Sequence, residues 1–355
     1  MIRARMFAFV GALLLALVTG VACASAAPPP APTPAAAQLV CGRPSGKPTV
    51  AGRLVLRTNQ CLVLEEPDGS LRQLFLATAS NIYPALPVWS PDGTRVAFTQ
   101  QLFFNGKAGA DWGDDLYVMP AAGGAPELVR AHRPTGEQVQ GVAWAPDGKA
   151  LVFGDFEPIM KDGNISSYSG HLKRIDLATK QETTIVEGAF TPSFSRDGKR
   201  LAFMMDQGLF VADPDGKNSK LLVPTGQFQT LYFPRISPDG SSVAFSASAP
   251  APGTRDLAPR PEGLLDRLAA LFLFPTAAEA HGVPMDIWKV DASTKALTQL
   301  TKFFEDDPQP AWSADGKLLI VHATGALYEV AADGSSISGA KVLGPGTFGG
   351  QVDVR

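Results

Sequence analysis

Apolar and polar residues alternate in short runs along most of the chain, and one such run recurs five times. Each copy has an aromatic or apolar residue, a tight turn ending in Asp-Gly, and a second apolar run. The copies occupy residues 89–98, 144–153, 194–203, 236–245 and 312–321. Proline at the second turn position presets φ, and glycine accepts positive φ, so each copy predicts a β-hairpin. Recurrence at this spacing is typical of propellers and solenoids.

A second pattern follows each of these inner hairpins, namely a short apolar strand, a polar turn and another strand. Six such outer hairpins occur, beginning near Leu62, against five inner ones. The run 54–56 therefore has no innermost partner, and the run 350–354 is an orphan strand. Pairing the two removes exposed strand edges and closes a ring. We predict an all-β fold, a six-bladed β-propeller of four-stranded antiparallel blades over residues 50–355, closed by its last strand in blade 1.

The first 49 residues do not carry this pattern. Residues 1–26 combine a basic start, an apolar run and a small-residue end, which predicts a secretory signal peptide. That run is too short to cross a bilayer, and no later segment is apolar enough to do so. Ordinary cleavage predicts a periplasmic or secreted protein, and the alternative is a lipoprotein anchored through Cys23. Residues 27–49 are interpreted as a Pro/Ala-rich tether and lead-in.

The net charge bears on what the protein binds, and the cysteine content bears on whether it is cross-linked. The formal net charge of −3 offers no basic face for nucleic acid. Two cysteines, Cys41 and Cys61, remain after the signal peptide. In an exported chain such a pair predicts a disulfide, which would attach the incoming segment to the first blade.

The antiparallel order of a blade sorts its loops onto two faces. The Asp-Gly turns and the outer-hairpin turns share one face, which we call the tight-turn face. Loops between second and third strands and linkers between blades share the other, the long-loop face. Loops there are longer and include the insertion at residues 249–285 in blade 5. Because binding residues concentrate on loops carried by a rigid scaffold, we expect function on the long-loop face.

The repeat itself resembles a known family. The combination of aromatic-Ser-Pro-Asp-Gly, an apolar-Ala-Phe run and Leu-Tyr-Val-Met is similar to the TolB-type propeller repeat, and it covers residues 87–330. It is also similar to the propeller of prolyl oligopeptidases. The resemblance implies the propeller fold but says little about what the protein does. TolB carries an α/β domain before its propeller, whereas only residues 41–49 and the tether precede this one. The Gly-x-Ser-x-Gly nucleophile elbow of the peptidases is absent from the sequence.

Two acidic clusters are candidates for a binding site on the long-loop face. The first contains Asp111, Trp112 and Asp114, and the second contains Glu305, Asp306 and Asp307. Carboxylates of this kind bind Ca²⁺, but their spacing matches no defined loop, so a solvated acidic rim is the preferred interpretation. No cofactor is predicted, and the metal is left unassigned.

Apolar candidates lie on the same predicted face. The blade 5 insertion contains a short helix with Leu268, Leu271 and Phe272 on one side. This helix either covers its own propeller or docks onto a partner. Phe156 and Tyr168 add aromatic side chains to the predicted partner surface.

Two functions follow from these features. The first is a non-enzymatic, exported cell-envelope propeller that serves as a protein-interaction or ligand-binding scaffold through its long-loop face. The alternative is a metal-dependent propeller hydrolase or lyase that uses carboxylates on that face. The absence of a recognisable catalytic motif favours the first.

Overall fold

The computed structural model describes ten stretches of the propeller region. They are residues 52–58, 60–79, 81–103, 112–133, 136–161, 164–248, 284–305, 307–323, 326–342 and 352–355. The predicted signal peptide, the tether, Cys41 and the helical insertion in blade 5 lie outside the described residues. The disulfide between Cys41 and Cys61 therefore stays a prediction.

The described residues form twenty-four strands in six four-stranded antiparallel sheets, which confirms the predicted propeller. Blade 1 contains β1 (Leu54–Thr58), β2 (Cys61–Glu65), β3 (Leu71–Leu76) and β24 (Val352–Val354). Blade 2 contains β4 (Ile82–Trp89), β5 (Arg95–Leu102), β6 (Gly113–Pro120) and β7 (Glu127–Arg130). Blade 3 contains β8 (Gln138–Trp144), β9 (Ala150–Lys161), β10 (Asn164–Asp176) and β11 (Glu182–Glu187).

The remaining blades repeat the arrangement. Blade 4 contains β12 (Ala189–Phe194), β13 (Leu201–Met205), β14 (Gly208–Ala212) and β15 (Lys220–Pro224). Blade 5 contains β16 (Leu231–Ile236), β17 (Ser242–Ser248), β18 (Met285–Asp291) and β19 (Leu297–Gln299). Blade 6 contains β20 (Gln309–Trp312), β21 (Leu318–Ala323), β22 (Ala326–Ala331) and β23 (Ile337–Val342). Strands β24, β4, β8, β12, β16 and β20 contact one another in sequence and surround a central channel.

Alternation of side chains along the second strand of each blade builds the core between blades. Phe98, Phe153, Phe203 and Phe245 occupy the same position of successive copies and are fully buried. The repeated tryptophans Trp89, Trp144 and Trp312 also pack between blades. The indole nitrogen of Trp144 donates to the Val88 carbonyl at 3.1 Å, so one blade is bonded to the previous one through a side chain.

Closure of the ring follows the prediction. Strand β24 pairs antiparallel with β1, with Val354 opposite Leu54. The amide of Arg355 donates to the Arg53 carbonyl at 2.8 Å, which continues the ladder. Blade 1 is thus completed by residues from both ends of the propeller.

The Asp-Gly turns are local structure, as the sequence indicated. In the first, the Gly93 amide donates to the Ser90 carbonyl at 2.9 Å, and Gly93 has φ of 70°. The Asp92 carboxylate accepts from the Ser90 hydroxyl at 2.5 Å and the Thr94 amide at 3.0 Å. These bonds lower the pKa of Asp92 to about 2.

Four inner strands share a feature that the sequence pattern did not predict. Three residues before the repeated aromatic or isoleucine, the backbone takes positive φ, and the register with the second strand shifts there. The residues are Leu86, Gly141, Thr191 and Phe233. At Gly141, a Cβ would lie 2.7 Å from the Cα of Thr191 in the next blade, so glycine is required by close approach as well as by φ.

Candidate functional site

A cavity of about 200 Å³ lies at the tight-turn end of the channel. All six inner strands contribute to its wall. The aromatic part of the wall comes from the repeated positions Trp89, Trp144, Phe194 and Trp312. The repeat therefore builds a concave site at the channel mouth on the face where we did not expect function.

Charged residues enter this cavity outside the repeat. Arg196 follows the first Ser of its turn, where other copies have Pro or Ala, Arg235 lies in β16, and Asp353 and Arg355 come from the closing strand and its end. Asp353 accepts a hydrogen bond from the Trp89 amide at 2.8 Å. Burial raises the pKa of Asp353, because ionisation is disfavoured away from water.

On the long-loop face, the structure gives the first acidic cluster mainly structural contacts. Asp114 is 4% exposed and accepts from the Val139 amide at 2.8 Å, which ties β6 to the next blade. Trp112 is half-buried, and its ring lies so close to Gly136 that a Cβ there would meet ring carbon at 2.0 Å. Asp111 lies outside the described residues.

The other predicted residues lie in different blades. Phe156 contacts Tyr168 and Phe190, with ring centroids 6.0 Å and 5.2 Å apart, so these rings form an aromatic cluster at blades 3 and 4. Glu305 forms a backbone bridge with Met285, and Asp307 has φ of 47° in the linker to blade 6. Asp306, Leu268, Leu271 and Phe272 lie outside the described residues. The binding role of all these residues stays a prediction.

Exposed apolar side chains concentrate at this face. Eight large hydrophobic residues among those described are more than two-fifths exposed. Six of them lie at strand ends or linkers of the long-loop face: Phe103, Ile159, Met160, Tyr168, Tyr232 and Phe304. The other two, Leu128 and Ile337, lie on outer strands.

A buried ion network between blades 2 and 3 was not revealed by the sequence pattern. Arg130 lies at the centre of this network, and its side chain is only 5% exposed. Its guanidinium contacts Glu137, lies 3.2 Å from Asp155 and donates to Glu182 at 2.9 Å. Lys173 contacts Asp155 from the neighbouring strand.

Protonation within this network follows from burial and partners. Burial raises the pKa of Asp155 to about 6, and the hydrogen bond with Glu137 adds to that rise. Burial also opposes ionisation of Glu137, but bonds with Asp155 and Arg130 outweigh it and lower the pKa of Glu137 to about 2. The only sequence signal was Asp155 and Glu157 in the otherwise apolar start of β9.

Carboxylate oxygens of Glu137, Asp155 and Glu157 lie within 4.8 Å of one another, a spacing that suits a metal ion. Arg133 donates to Glu137 at 2.7 Å and Lys173 to Glu157 at 3.2 Å. Cations from the chain itself therefore occupy the positions that a metal would take. This arrangement fits a structural ion network better than the metal centre of a hydrolase or lyase.

A second arrangement resembles part of a catalytic relay. The Ser169 hydroxyl lies 2.8 Å from Nε2 of His171, and Nδ1 of His171 contacts Glu187. The Glu187 side chain is 76% exposed, so water screens its interaction with the imidazole and the interaction is weak. The channel cavity is lined by other residues, so these three side chains do not face that cavity. These three residues are therefore not assigned a catalytic role.

Comparison with known proteins supports the fold. No family model matches the chain. An uncharacterized protein of Agrobacterium fabrum is 24% identical over 163 residues, which cover 44% of this chain and 48% of that relative. The chain thus spans about half the length of the curated relative it matches.

Solved structures give the same architecture. TolB from Acinetobacter baumannii superposes with a TM-score of 0.57 at 16% identity, covering 86% of this chain and 66% of that one. Putative TolB from Agrobacterium tumefaciens gives 0.54 at 19% identity, covering 80% and 90%. An oligogalacturonate lyase in complex with manganese is similar only at 0.46, with 15% identity and 78% and 69% coverage. The protein has a TolB-like propeller fold, and at these identities the likeness shows the fold alone.

Proposed function

We propose that the protein is an exported, non-enzymatic binding propeller that engages a cell-envelope protein through its long-loop face. The observation that carries the proposal is the distribution of exposed apolar side chains. Six of the eight large exposed hydrophobic residues lie on that face. Interfaces obtain most of their binding energy from a few aromatic and apolar anchors surrounded by polar groups.

The surroundings of these side chains are consistent with an interface rim. Glu305 and Asp307 lie beside Phe304, and Glu157 lies beside the Phe156 and Tyr168 pair. The signal peptide predicted at residues 1–26 is consistent with export. In the described part of the chain, no helix is both long enough and apolar enough to cross a membrane. The blade 5 insertion, with Leu268, Leu271 and Phe272, is proposed as a further part of the same surface.

Co-purification from envelope extract tests this proposal. We expect Tyr232→Ser with Phe304→Ser to reduce partner capture at least tenfold without a change in melting temperature, because both side chains are exposed. Leu128→Ser with Ile337→Ser is the matched control, since it removes equally exposed apolar groups from outer strands. Equal capture by the two double variants would contradict the proposal.

A further variant addresses the insertion. Leu268→Asp with Phe272→Asp should abolish capture and leave folding intact if the predicted helix docks onto the partner. Lost thermal stability with capture preserved would instead identify the helix as cover for its own propeller.

A further inference from the structure

Three guanidinium groups converge on the cavity at the tight-turn end of the channel. They belong to Arg196, Arg235 and Arg355, which we call the channel arginines. Each comes from a different inner strand or from the turn or chain segment that follows one. The cavity wall contains one acidic side chain, that of Asp353. The wall therefore carries three positive side chains against one negative one.

The channel arginines have few strong partners in the described structure. A guanidinium offers five donors in a planar fork. Arg235 donates to the Pro234 carbonyl at 3.3 Å, and Arg196 donates to the Ala314 carbonyl at 3.4 Å. Both distances are at the weak end of hydrogen bonding. Among the described residues, no carboxylate lies within ion-pair distance of any of the three.

Asp353, the acidic side chain of the cavity wall, already interacts with other groups. Asp353 is bonded to the Trp89 amide, and both Arg235 and Arg196 act on it electrostatically. Asp92, which also acts on Arg355, is held by its own turn. Among the side chains of the cavity wall, positive charge thus exceeds negative charge.

The surroundings make that charge costly. Arg235 is half-buried in the cavity wall, and burial lowers its pKa below the ordinary value. The pKa of Arg355 is lowered by burial and by the neighbouring charge of Arg196. A bound anion would offset the cost of burying these guanidinium groups and would reduce the repulsion between them.

We propose that the tight-turn mouth of the channel binds a small multivalent anion bearing carboxylate or phosphate groups, held by Arg196, Arg235 and Arg355. Guanidinium forks match the oxygen geometry of both groups. The volume of about 200 Å³ suits a molecule of a few carbon atoms with two or three acidic groups. Indole and aliphatic carbons from Trp312 and Val354 complete the wall, so an organic anion is favoured over a bare inorganic ion.

This site lies at the end of the channel opposite the face proposed for the protein partner, so each can be tested without the other. Isothermal titration with citrate, glycerol phosphate and inorganic phosphate measures binding to the full chain. The tighter of the first two probes assigns the acidic group as carboxylate or phosphate. We expect saturable binding that weakens as salt is raised.

Substitutions connect binding to the named side chains. Arg235→Gln should lower the affinity at least tenfold, and Arg196→Gln, at an exposed position where folding is not at risk, should lower it severalfold. Lys199→Gln is the matched control, because it removes a positive charge from the same hairpin as Arg196 but outside the cavity. It should leave the affinity within about twofold, as expected for a screened surface charge.

Asp353→Asn separates an anion site from a cation site. The amide can still accept from the Trp89 amide, but the opposing charge is gone, so anion affinity should rise severalfold. A fall in affinity, or binding of Ca²⁺ that Asp353→Asn abolishes, would overturn the proposal. So would the absence of saturable binding of all three probes, or equal affinities of the Arg196 and Lys199 variants.

Discussion

At the residue scale, Asp114 shows how one buried carboxyl links the fold to pH. It is a predicted binding residue, yet it is almost fully buried and accepts from the Val139 amide. Desolvation raises its pKa to about 7, against an ordinary value of 3.8. In the unfolded chain the group ionises at the lower pH. Between these two values the folded state binds the proton more tightly, so stability is lost as pH rises.

Asp114→Asn should remove that pH dependence. Relative to the variant, the wild-type protein should lose stability between about pH 4 and pH 7, by roughly 4 kcal/mol at most. Denaturant midpoints measured across this range test the sign and the size. Asp206→Asn, at an exposed position, serves as the control and should leave the slope unchanged. A wild-type curve parallel to that of Asp114→Asn would show that Asp114 does not titrate in this window.

At the element scale, the buried ion network joins the end of β7 in blade 2 to Glu137, just before β8, and to β9 and β10 of blade 3. Arg130 supplies the positive charge between Glu137 and Asp155, both of which have fully buried side chains. Its guanidinium also lies 5.0 Å from the centre of the Phe153 ring. Removing one partner from a buried ion network leaves uncompensated charge, which costs more than the pair contributes.

Arg130→Met should therefore destabilise the protein by about 3–5 kcal/mol. Lys217→Met is the control, because Lys217 forms an exposed pair with Asp215 and should cost less than about 1 kcal/mol. Adding Asp155→Asn to Arg130→Met should recover part of the loss by removing one stranded charge. Urea denaturation of the three variants measures these differences, and a loss with Arg130→Met no larger than that of the control would rule out this account.

What the sequence could predict also depends on scale. The hairpin positions around Trp89 and Trp144 repeat, so their strands and turns followed directly from periodicity. The ion network did not, because Arg130 of blade 2 meets Glu137 and Lys173 only through packing between two blades and strand pairing within blade 3. The channel arginines were missed for the same reason, since they converge from separate blades. Positive φ at Leu86 and Thr191 was also not predicted, because neither residue type favours it.

At the scale of the whole molecule, the ring depends on the last strand. Val352 and Val354 are buried, and Asp353 bonds to the Trp89 amide of blade 2, so β24 contacts the blades on both sides of the seam. The mismatch between five inner and six outer hairpins predicted this closure from the sequence.

Deleting residues 350–355 should expose the inner edge of β1 and destabilise all six blades. We expect a lower melting temperature and loss of monodispersity, because an unpaired strand edge recruits other chains. Val354→Ala, which keeps the backbone pairing and removes two methyl groups, should cost only about 1–3 kcal/mol and leave the size distribution of the protein unchanged from that of the wild type. An unchanged melting temperature and size distribution after the deletion would contradict the role of β24.

The seam also sets an order of events during folding. Strand β1 is synthesised before the other described strands, and its partner β24 (Val352–Val354) is synthesised after all of them. Five blades can form from contacts close in sequence, whereas this pairing must wait for nearly the whole chain. Until then, the inner edge of β1 is unpaired. The time during which β1 can pair wrongly with another strand is therefore set by how soon β24 is synthesised, and not by the stability of any blade.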